Sequence, residues 1–166
     1  MKEGEHTVFL LLGSNEGDRF HNLNSALKLL NQKAGLVKRT SSILETEPWG
    51  VTEQGVFLNQ AVELQTEIEP EGLLTTLKEI ENLVGRTPTY KWGPREIDID
   101  ILLFGDVVLN SETLTIPHAG LPDRLFALQP LNEIASHVLH PELGMSVAAL
   151  LEACRQNKRP TIVDEV

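Results

Sequence analysis

The stretch Trp92-Gly93-Pro94-Arg95-Glu96-Ile97-Asp98-Ile99-Asp100-Ile101-Leu102-Leu103-Phe104-Gly105 decides the fold of this chain. After Pro94 its residues alternate as they do in a β-strand, where side chains two positions apart point to the same face. The alternation predicts two faces: Ile97, Ile99, Ile101 and Leu103 on one, and Asp98, Asp100, Leu102 and Phe104 on the other. We expect the isoleucine face to bury the apolar stripes of helices packed on a sheet.

Asp98 and Asp100 share one face of this strand and allow two interpretations. Two carboxylates at this spacing can together hold a hard cation such as Mg²⁺, which prefers oxygen ligands and leaves room for substrate phosphates. The pair is also compatible with a strand face whose charges point into water, since charged residues are mostly exposed. Arg95 favours the first interpretation, because its planar guanidinium at the entrance of the strand matches phosphate oxygens.

Length and composition predict one globular domain over residues 1–166. A chain of 166 residues with 41% hydrophobic and 23% charged residues can bury a sizeable core. It contains no apolar run long enough to cross a bilayer, and Met1–Glu5 lacks the hydrophobic segment of a signal peptide. The single cysteine, Cys154, excludes an internal disulfide, fits a cytoplasmic location, and is interpreted as a small packing residue.

The net charge of −10 argues against a general nucleic-acid surface, which requires a basic footprint. It does not exclude a nucleotide in a pocket, because a local set of cations can focus an anionic ligand. Such a set lies between positions 78 and 124 and consists of Lys78, Arg86, Lys91, Arg95 and Arg124.

Hydrophobic periodicity predicts strands and helices on the N-terminal side of the quoted stretch. The predicted strands are Thr7–Leu12, Val37–Glu45 and Phe57–Thr66. The first helix has a stripe of Phe20, Leu23, Ala26, Leu27 and Leu30 and ends before Gly35. The second helix opens at Pro70, is capped by Gly85, and has a stripe of Leu73, Leu77, Ile80 and Val84.

On the C-terminal side, Gly105-Asp106 predicts a turn and Val107–Leu109 a returning strand. The remaining predicted elements are a short extended piece at Leu114–Ile116, helices at Leu125–Ala135 and Val147–Cys154, and a frayed tail at 157–166. The order β-α-β-β-α-β-β with antiparallel hairpins indicates an α+β sandwich, in which helices pack on a mainly antiparallel sheet.

Two polar side chains and two loops are further candidates for a site. Asn59 lies in a predicted strand, where Asn is unfavourable, and is either a satisfied core amide or a reader of a heterocycle's donor and acceptor edge. His118 is either a phosphate donor or an ordinary turn residue. The loops at 48–56 and 86–94 are candidate lids; Trp49 in the first is either a packed anchor or part of the lid.

With these residues the sequence resembles the 6-hydroxymethyl-7,8-dihydropterin pyrophosphokinase family of the folate pathway. The signature Trp92-Gly93-Pro94-Arg95-x-x-Asp98-x-Asp100-Ile101 carries the resemblance, and matching segments cover most of the chain in the family's order. These segments are Leu11 with Gly13–Asn15, Phe57–Ala61, Glu81, Gly85-Arg86, Leu114–His118, Arg124 and Pro130–Ala135.

The resemblance implies transfer of a pyrophosphoryl group from ATP to the hydroxymethyl oxygen of 6-hydroxymethyl-7,8-dihydropterin, with release of AMP. It also implies a ferredoxin-like α+β core in three layers, two Mg²⁺ ions and a monomer. Such transfer mainly requires alignment and charge stabilisation, so we expect no side-chain nucleophile. We also expect a closing lid, because hydrolysis is the competing reaction.

The resemblance further implies a role for each matched residue. Asp98 and Asp100 would bind both magnesium ions, and together with Arg86 and Arg95 they form the expected catalytic set. Asn59 would hydrogen-bond the pterin, Phe57 and Phe126 would lie on either side of its ring, and Thr46 would contribute through its backbone. The phosphates of ATP would contact Arg86, Arg95, His118 and Arg124, its adenine Ile101 and Thr115, and its ribose region Glu81, with Trp92 closing over the site.

The chain departs from the family pattern in the parts that would grip ATP. The 86–94 loop is shorter than in other members, and Pro88 lies near where a second lid arginine often occurs. The other departures are Lys78, Ala119, Glu47 and Trp49, where the family has a glutamine, a tyrosine and two smaller residues. None of them affects the aspartate pair or Asn59.

Two other functions are compatible with parts of the sequence. A non-catalytic pterin- or nucleotide-binding module on the same scaffold would keep Asn59 and the aromatic residues but would lose Asp98, Asp100 or Arg95, all of which are present. A plain ferredoxin-like interaction domain would not require the Trp-Gly-Pro-Arg segment beside paired aspartates. The sequence therefore favours the enzyme.

Overall fold

The computed structural model describes residues 3–46, 56–85 and 96–157. The main strands are β1 His6–Ser14, β2 Leu36–Thr40, β3 Leu44–Thr46, β4 Phe57–Thr66 and β5 Asp98–Phe104. The helices are α1 Arg19–Lys33, α2 Pro70–Val84, α3 Leu125–Ala135 and α4 Val147–Arg155, with a 3-10 turn at Leu121–Asp123. Strands β6 Leu109–Asn110 and β7 Thr115–Ile116 form a separate small hairpin.

The main sheet has the strand order β2-β4-β1-β5, and β3 also pairs with β4. All of its pairs are antiparallel. Helix α1 connects β1 to β2 across β4, and α2 connects β4 to β5 across β1, which gives two interleaved β-α-β units. The fold is therefore the predicted α+β, ferredoxin-like arrangement, and its acidic strand β5 lies at an edge of the sheet.

Two apolar cores, one on each face of the sheet, make the three layers. The first core joins α1 and α2 to the sheet and includes Leu23, Leu77 and Ile99. The second joins α3 and α4 to the opposite face and includes Leu11, Leu131 and Leu150. As predicted, the isoleucine face of β5 packs against the helices of the first core.

The helix boundaries follow local signals in the sequence. The Asp18 carboxylate caps α1 by accepting a hydrogen bond from His21 N at 3.1 Å. Pro70 occupies the first turn of α2, and Gly85 N donates to Glu81 O at 2.9 Å where that helix ends. The stripe predicted for α1 is correct except at Phe20, which is 53% exposed.

The predicted faces of β5 are wrong beyond Ile101. Phe9 of β1 pairs with Leu103, but the next residue, Leu10, pairs with Ile101, so Leu102 is an extra residue in a β-bulge. A bulge reverses the alternation that follows it. Leu103 consequently joins the core under α3 and α4, whereas Phe104 joins the core under α1 and α2.

Two other strand predictions are corrected. The segment Val37–Glu45 is not one strand: β2 and β3 pair with β4 on either side of Ser41, whose hydroxyl accepts a hydrogen bond from Ala61 N at 2.9 Å. The segment Val107–Leu109 does not return along β5, since only Leu109 is in a strand and that strand pairs with β7. In the part of the chain that the structure describes, none of the helices has the length and apolar character required to span a membrane.

Candidate active site

A cavity of about 930 Å³ opens between the sheet and the α3–α4 layer. Predicted site residues line both of its sides. Thr46, Phe57, Asn59, Asp98 and Asp100 lie on the sheet side, and Arg124 and Phe126 lie at the start of α3. The structure therefore brings together the predicted pterin contacts and the predicted metal ligands.

The register of three strands places Asn59 and Asp98 in one row across the sheet. Gly13 of β1 is the partner of Asn59 on one side and of Asp98 on the other. Neighbouring strands are about 4.8 Å apart, so the Asn59 and Asp98 backbones are about 10 Å apart. Because Gly13 has no side chain, the floor of the cavity between them is open.

Asn59 is 3% exposed and is held by β3. Its Nδ2 donates to Thr46 Oγ1 at 2.7 Å and to Leu44 O at 3.4 Å. Its Oδ1 lies on the other side of the amide, 3.6 Å from where a Cβ on Gly13 would be. The side chain is thus both a satisfied core amide and a fixed acceptor directed over the cavity floor.

Two half-buried aromatic rings border the same space. Phe57 Cδ1 lies 3.8 Å from the position of a Cβ on Gly13, and Phe126 projects from the first turn of α3. The Arg124 guanidinium lies 5.6 Å from the centroid of the Phe126 ring, within the range of a cation–π contact. Arg124 also packs over Gly120, where a Cβ would come within 2.6 Å of its Nε.

Asp98 and Asp100 are half-buried on the cavity side of β5. The described residues contain no group of three or more His, Cys, Asp or Glu side chains that could hold a metal ion. A cation held by these two carboxylates would therefore need oxygen ligands from elsewhere, such as phosphates and water. This donor set suits Mg²⁺, which commonly takes one or two carboxylates together with substrate phosphates.

Glu81 lies outside the cavity, against the outer edge of β5. Its Oε2 accepts a hydrogen bond from Ile99 N at 2.7 Å. Burial raises the pKa of this carboxyl, and the charges of Asp98 and Asp100 raise it further, while the Ile99 bond and Lys78 oppose the shift. The two aspartates and Glu81 thus form a concentration of negative charge around one short segment of β5.

His118 is fixed by its own loop, which follows the cis Ile116–Pro117 bond. Its backbone N donates to Leu102 O at 3.0 Å, and its Nδ1 accepts from Gly120 N at 3.0 Å. Burial lowers the pKa of the imidazole and Asp100 opposes this shift, whereas Arg124 adds to it. The neutral ring consequently carries its proton on Nε2, the form that donates a hydrogen bond.

Of the predicted ATP contacts that the structure describes, Arg124 lines the cavity, whereas Glu81, His118, Ile101 and Thr115 are not among its lining residues. The side chain of Ile101 is buried in the core, and Thr115 is exposed on β7, with Oγ1 3.5 Å from Asn110 Oδ1. Arg86, Trp92, Arg95 and both candidate lids lie wholly or largely outside the described residues. The tail prediction at 157–166 does so too, apart from Asn157.

Eight further residues line the cavity that the sequence did not indicate as site residues: Leu11, Gly13, Gly120, Asp123, Leu125, Gln129, Cys154 and Asn157. Gly13 lies inside β1, whereas the sequence assigned it to the turn after the predicted strand and to a segment that matches the family, without a role in the site. Cys154 packs against the α3–α4 core, as predicted, but it also reaches the cavity. Burial raises the pKa of its thiol, and Asp123 adds to the shift.

Comparisons with known proteins identify relatives of this chain. The model of the family described as 7,8-dihydro-6-hydroxymethylpterin-pyrophosphokinase (HPPK) matches residues 9–136. The 2-amino-4-hydroxy-6-hydroxymethyldihydropteridine pyrophosphokinase of Bacillus subtilis is 47% identical over 159 residues, which cover 95% of this chain and 94% of the relative. The protein of that name from Aquifex aeolicus is 43% identical over 135 residues, 81% of this chain and 84% of the relative.

Solved structures share the fold at low sequence identity. A crystal structure of an HPPK-DHPS in complex with substrates has a TM-score of 0.76 at 15% identity and covers 92% of this chain. The wild-type HPPK-DHPS of Plasmodium falciparum with pteroate has a TM-score of 0.75 at 17% identity and covers 95% of this chain. This chain spans only 44% and 47% of those two longer chains.

Proposed function

The chain belongs to the 7,8-dihydro-6-hydroxymethylpterin-pyrophosphokinase family, and we propose that the cavity beside β5 is where it carries out the family's reaction. In that reaction the hydroxymethyl oxygen of the dihydropterin forms a bond to the β-phosphorus of ATP. The bond from that phosphorus to the oxygen bridging the α- and β-phosphates breaks, the hydroxyl proton is lost, and AMP leaves. The chain is thus an ATP-dependent diphosphotransferase of folate synthesis.

One observation carries the placement of this reaction: the row formed by Asn59, Gly13 and Asp98 across three strands. A buried amide that suits a heterocycle stands at one end of the row, and the acidic strand stands at the other. Their separation of about two strand spacings leaves room for a flat bicyclic ring between them. The hydroxymethyl group of a ring held at Asn59 would then point toward the phosphates held beside Asp98.

At the pterin end, the protein binds and orients the ring. Asn59 Oδ1 accepts hydrogen bonds from the ring's amino and imino groups, while Thr46 fixes the opposite side of the amide. Phe57 and Phe126 cover the two faces of the ring, as aromatic side chains commonly do for flat ligands. This orientation converts a bimolecular encounter into an aligned attack, which is the main protein contribution to phosphoryl-type transfer.

At the phosphate end, Asp98 and Asp100 would hold the two Mg²⁺ ions that the family resemblance implies. When bound, these ions neutralise the polyphosphate and make the substrate hydroxyl easier to deprotonate. The neutral His118 would donate a hydrogen bond from Nε2 to a phosphate oxygen, and Arg124 would supply a positive charge at the start of α3. Asp100 would act as a base only through the metal, and no side chain acts as a nucleophile.

The remaining contacts to ATP come from the resemblance. Arg86 and Arg95 would hold phosphates, Trp92 would close over the site, and the ribose region would lie near Glu81. Ile101 and Thr115 would border the adenine. The alternation of β5 supports the proposed contact between Ile101 and the adenine. The backbone N–H and C=O of Ile101 face the same outer edge of the strand as those of Ile99, where they can meet a ligand.

Product analysis tests the proposed reaction. The protein would be mixed with Mg²⁺, ATP and 6-hydroxymethyl-7,8-dihydropterin, and the products separated by chromatography and weighed by mass spectrometry. We expect equal amounts of AMP and the pterin diphosphate, with no AMP when the pterin is omitted. Formation of ADP and a pterin monophosphate, or pterin-independent AMP, would contradict the proposal. A non-catalytic binding module is not favoured, since relatives that match nearly the full chain are named as pyrophosphokinases.

We propose further that residues 1–166 act as one catalytic domain and that the protein is a cytoplasmic monomer. The packing of α4 on α3 in one core supports a single domain, although the family model ends at residue 136. The lone cysteine supports the reducing compartment. Light scattering after size-exclusion chromatography should give the 18.4 kDa mass of one chain, and a mass of twice that value would contradict the monomer.

A further inference from the structure

Glu81 contacts the backbone of the one residue that separates the two aspartates. Its Oε2 accepts a hydrogen bond from Ile99 N at 2.7 Å, and Ile99 lies between Asp98 and Asp100 in β5. A carboxylate that accepts from a backbone N–H makes a charge-assisted bond, which is stronger than a bond between neutral groups. The segment that carries both candidate metal ligands is therefore tied directly to helix α2.

The Glu81 bond satisfies a backbone N–H on the edge of β5 that faces away from β1. In the described part of the sheet, β5 pairs with β1 alone. Residues of an antiparallel strand alternate between bonding to the partner strand and pointing away from it. Since Ile99 N points to Glu81, the backbones of Asp98 and Asp100 are the ones that pair with Gly13 and Leu11.

Glu81 extends from a well-packed part of helix α2. Leu77 and Ile80 precede it in α2, and both are at most 1% exposed in the core. Its own carbonyl accepts from Gly85 N at 2.9 Å. A Cβ on Gly85 would lie 3.2 Å from Glu96 Cβ, so the end of α2 closely approaches the entrance of β5. A side chain anchored on such a well-packed helix can hold the neighbouring strand in place.

We propose that Glu81 is a positioning residue for Asp98 and Asp100, which it holds at their spacing by binding the Ile99 N–H. Without this bond the Ile99 N–H would be hydrogen-bonded to water, and the carboxylates of Asp98 and Asp100 would adopt more orientations. This inference rests on the proposed function for what the aspartates bind. It differs from a ribose contact, because it acts through the backbone of β5.

Two substitutions separate the bond from the charge. Glu81→Gln keeps an amide oxygen that can accept from Ile99 N and removes the charge, whereas Glu81→Ala removes both. Glu79→Ala is the matched control, since Glu79 lies on the same helix and pairs with Lys33 at the surface, at 3.3 Å. Circular dichroism verifies that each variant is folded before it is compared.

The first measurement is hydrogen exchange of the Ile99 amide by NMR, in the protein without substrates. We expect exchange about tenfold faster in Glu81→Ala, the factor that corresponds to losing a hydrogen bond to a charged group. Glu79→Ala should remain close to the wild type, and Glu81→Gln, whose neutral amide oxygen still accepts, should lie between the wild type and Glu81→Ala. Unchanged exchange in Glu81→Ala, or equal acceleration in Glu81→Gln, would overturn the inference.

The second measurement is the affinity for Mn²⁺ in the presence of inorganic tripolyphosphate, followed by electron paramagnetic resonance. Tripolyphosphate has no ribose, so a direct ribose contact cannot influence the result. We expect Glu81→Ala to weaken Mn²⁺ binding about fivefold or more, and Glu81→Gln to weaken it less. Equal affinity in the wild type and Glu81→Ala would overturn the positioning role.

These readouts do not depend on turnover, so the inference and the proposed function can fail separately. If the wild type forms no pterin-dependent AMP, the proposed function is wrong, whatever the exchange of Ile99 shows. If the wild type forms AMP but Glu81→Ala leaves both Ile99 exchange and Mn²⁺ affinity unchanged, the positioning role alone is wrong.

Discussion

Gly13 and Asn59 show how a small set of side chains defines the pterin end of the cavity. Asn59 is oriented from behind by Thr46, and its acceptor oxygen lies over a position that has no side chain. The same two residues are partners in the β1–β4 ladder, so their relative position is set by the sheet. Glycine in a strand interior often marks a close approach by a ligand.

Substituting Gly13 should separate stability from binding. A Cβ there would make only ordinary contacts, at 3.6 and 3.8 Å, and alanine is better than glycine in a strand by about 0.5–1 kcal/mol. We expect Gly13→Ala to fold with an unchanged or slightly raised Tm and to bind the pterin more weakly, and Gly13→Leu to abolish pterin binding. Calorimetry and a pterin titration measure both quantities. Unchanged pterin affinity in Gly13→Leu would place the ring elsewhere.

Glu81 should make stability depend on pH. Burial raises its pKa in the folded protein above its ordinary value of 4.5, so the folded state binds this proton more readily than the unfolded state does. The unfolding free energy of the wild type therefore falls as pH rises from 4.5 through the raised pKa. We expect Glu81→Gln to have a higher Tm than the wild type at pH 7 and to lose this advantage by about pH 4.5.

The control for this experiment is Glu79→Gln, whose carboxylate lies at the surface and pairs with Lys33 at 3.3 Å. Its Tm should follow that of the wild type closely at both pH values, because exposed ion pairs contribute little. A Tm difference between Glu81→Gln and the wild type that is the same at pH 4.5 and pH 7 would mean that the Glu81 carboxyl does not cause it.

Strand and helix boundaries were predictable where periodicity is strict. Strand β4 has the predicted bounds Phe57–Thr66, and α3 has the predicted bounds Leu125–Ala135, because most of their apolar residues recur at the period of a strand or of a helix. The bulge at Leu102 was not predictable, since Leu102, Leu103 and Phe104 are all apolar and fit either register. Only the pairing with Phe9 and Leu10 determines which of them face α3.

The alignment of Asn59, Gly13 and Asp98 across the sheet could not be predicted from the residues alone, because it also depends on strand pairing. The sequence places Asp98 and Asp100 on one strand face and Asn59 on another strand. Their alignment through Gly13 depends on which strands are neighbours and in which register, and such long-range pairing leaves little local signal. The resemblance to a family, and not periodicity, supplied the expectation that these residues meet.

Helix α3 is fastened to the β2–β3 connection on the far side of the cavity wall. Ser42 N and Ser42 Oγ donate to the two carboxylate oxygens of Glu133, at 3.0 and 2.7 Å. This connection leads into β3, which carries Thr46, while α3 carries Phe126 at its start. The Ser42–Glu133 bonds therefore hold Thr46 and Phe126, the two sides of the predicted pterin contact, at a fixed distance from each other.

Glu133→Ala should remove both hydrogen bonds and weaken the attachment of α3 to the β2–β3 connection. The two bonds are exposed, so we expect a loss of about 1 kcal/mol in unfolding free energy, which lowers Tm by about 2–4 °C in a chain of this size. Pterin affinity should fall as well, because Thr46 and Phe126 are held less closely. Glu112→Ala, an exposed glutamate, serves as the control for thermal denaturation and pterin titration. A pterin affinity in Glu133→Ala equal to that of the control would show that the fastening is structural only.

Taken as a whole, the molecule carries a net charge of −10 and is proposed to bind the polyanion ATP. Its acidic strand would repel phosphates unless cations intervene, so the charge arrangement itself favours a metal-dependent reaction. Arg124 lines the same cavity, and the family resemblance implies that Arg86 and Arg95 also contact the phosphates. We propose that the site divides into a pterin end, formed by Asn59 and the two phenylalanine rings, and a phosphate end, formed by the acidic strand β5.

That claim is tested most directly by an Asp98→Asn/Asp100→Asn double variant assayed beside the wild type. AMP formation with ATP, MgCl₂ and 6-hydroxymethyl-7,8-dihydropterin would be followed by chromatography, and pterin binding would be titrated in the same preparations. We predict that AMP formation falls by at least about a thousandfold, a loss of roughly 4 kcal/mol of transition-state stabilisation, while pterin affinity changes little. AMP formation near the wild-type rate, or loss of pterin binding together with activity, would contradict the division of the site.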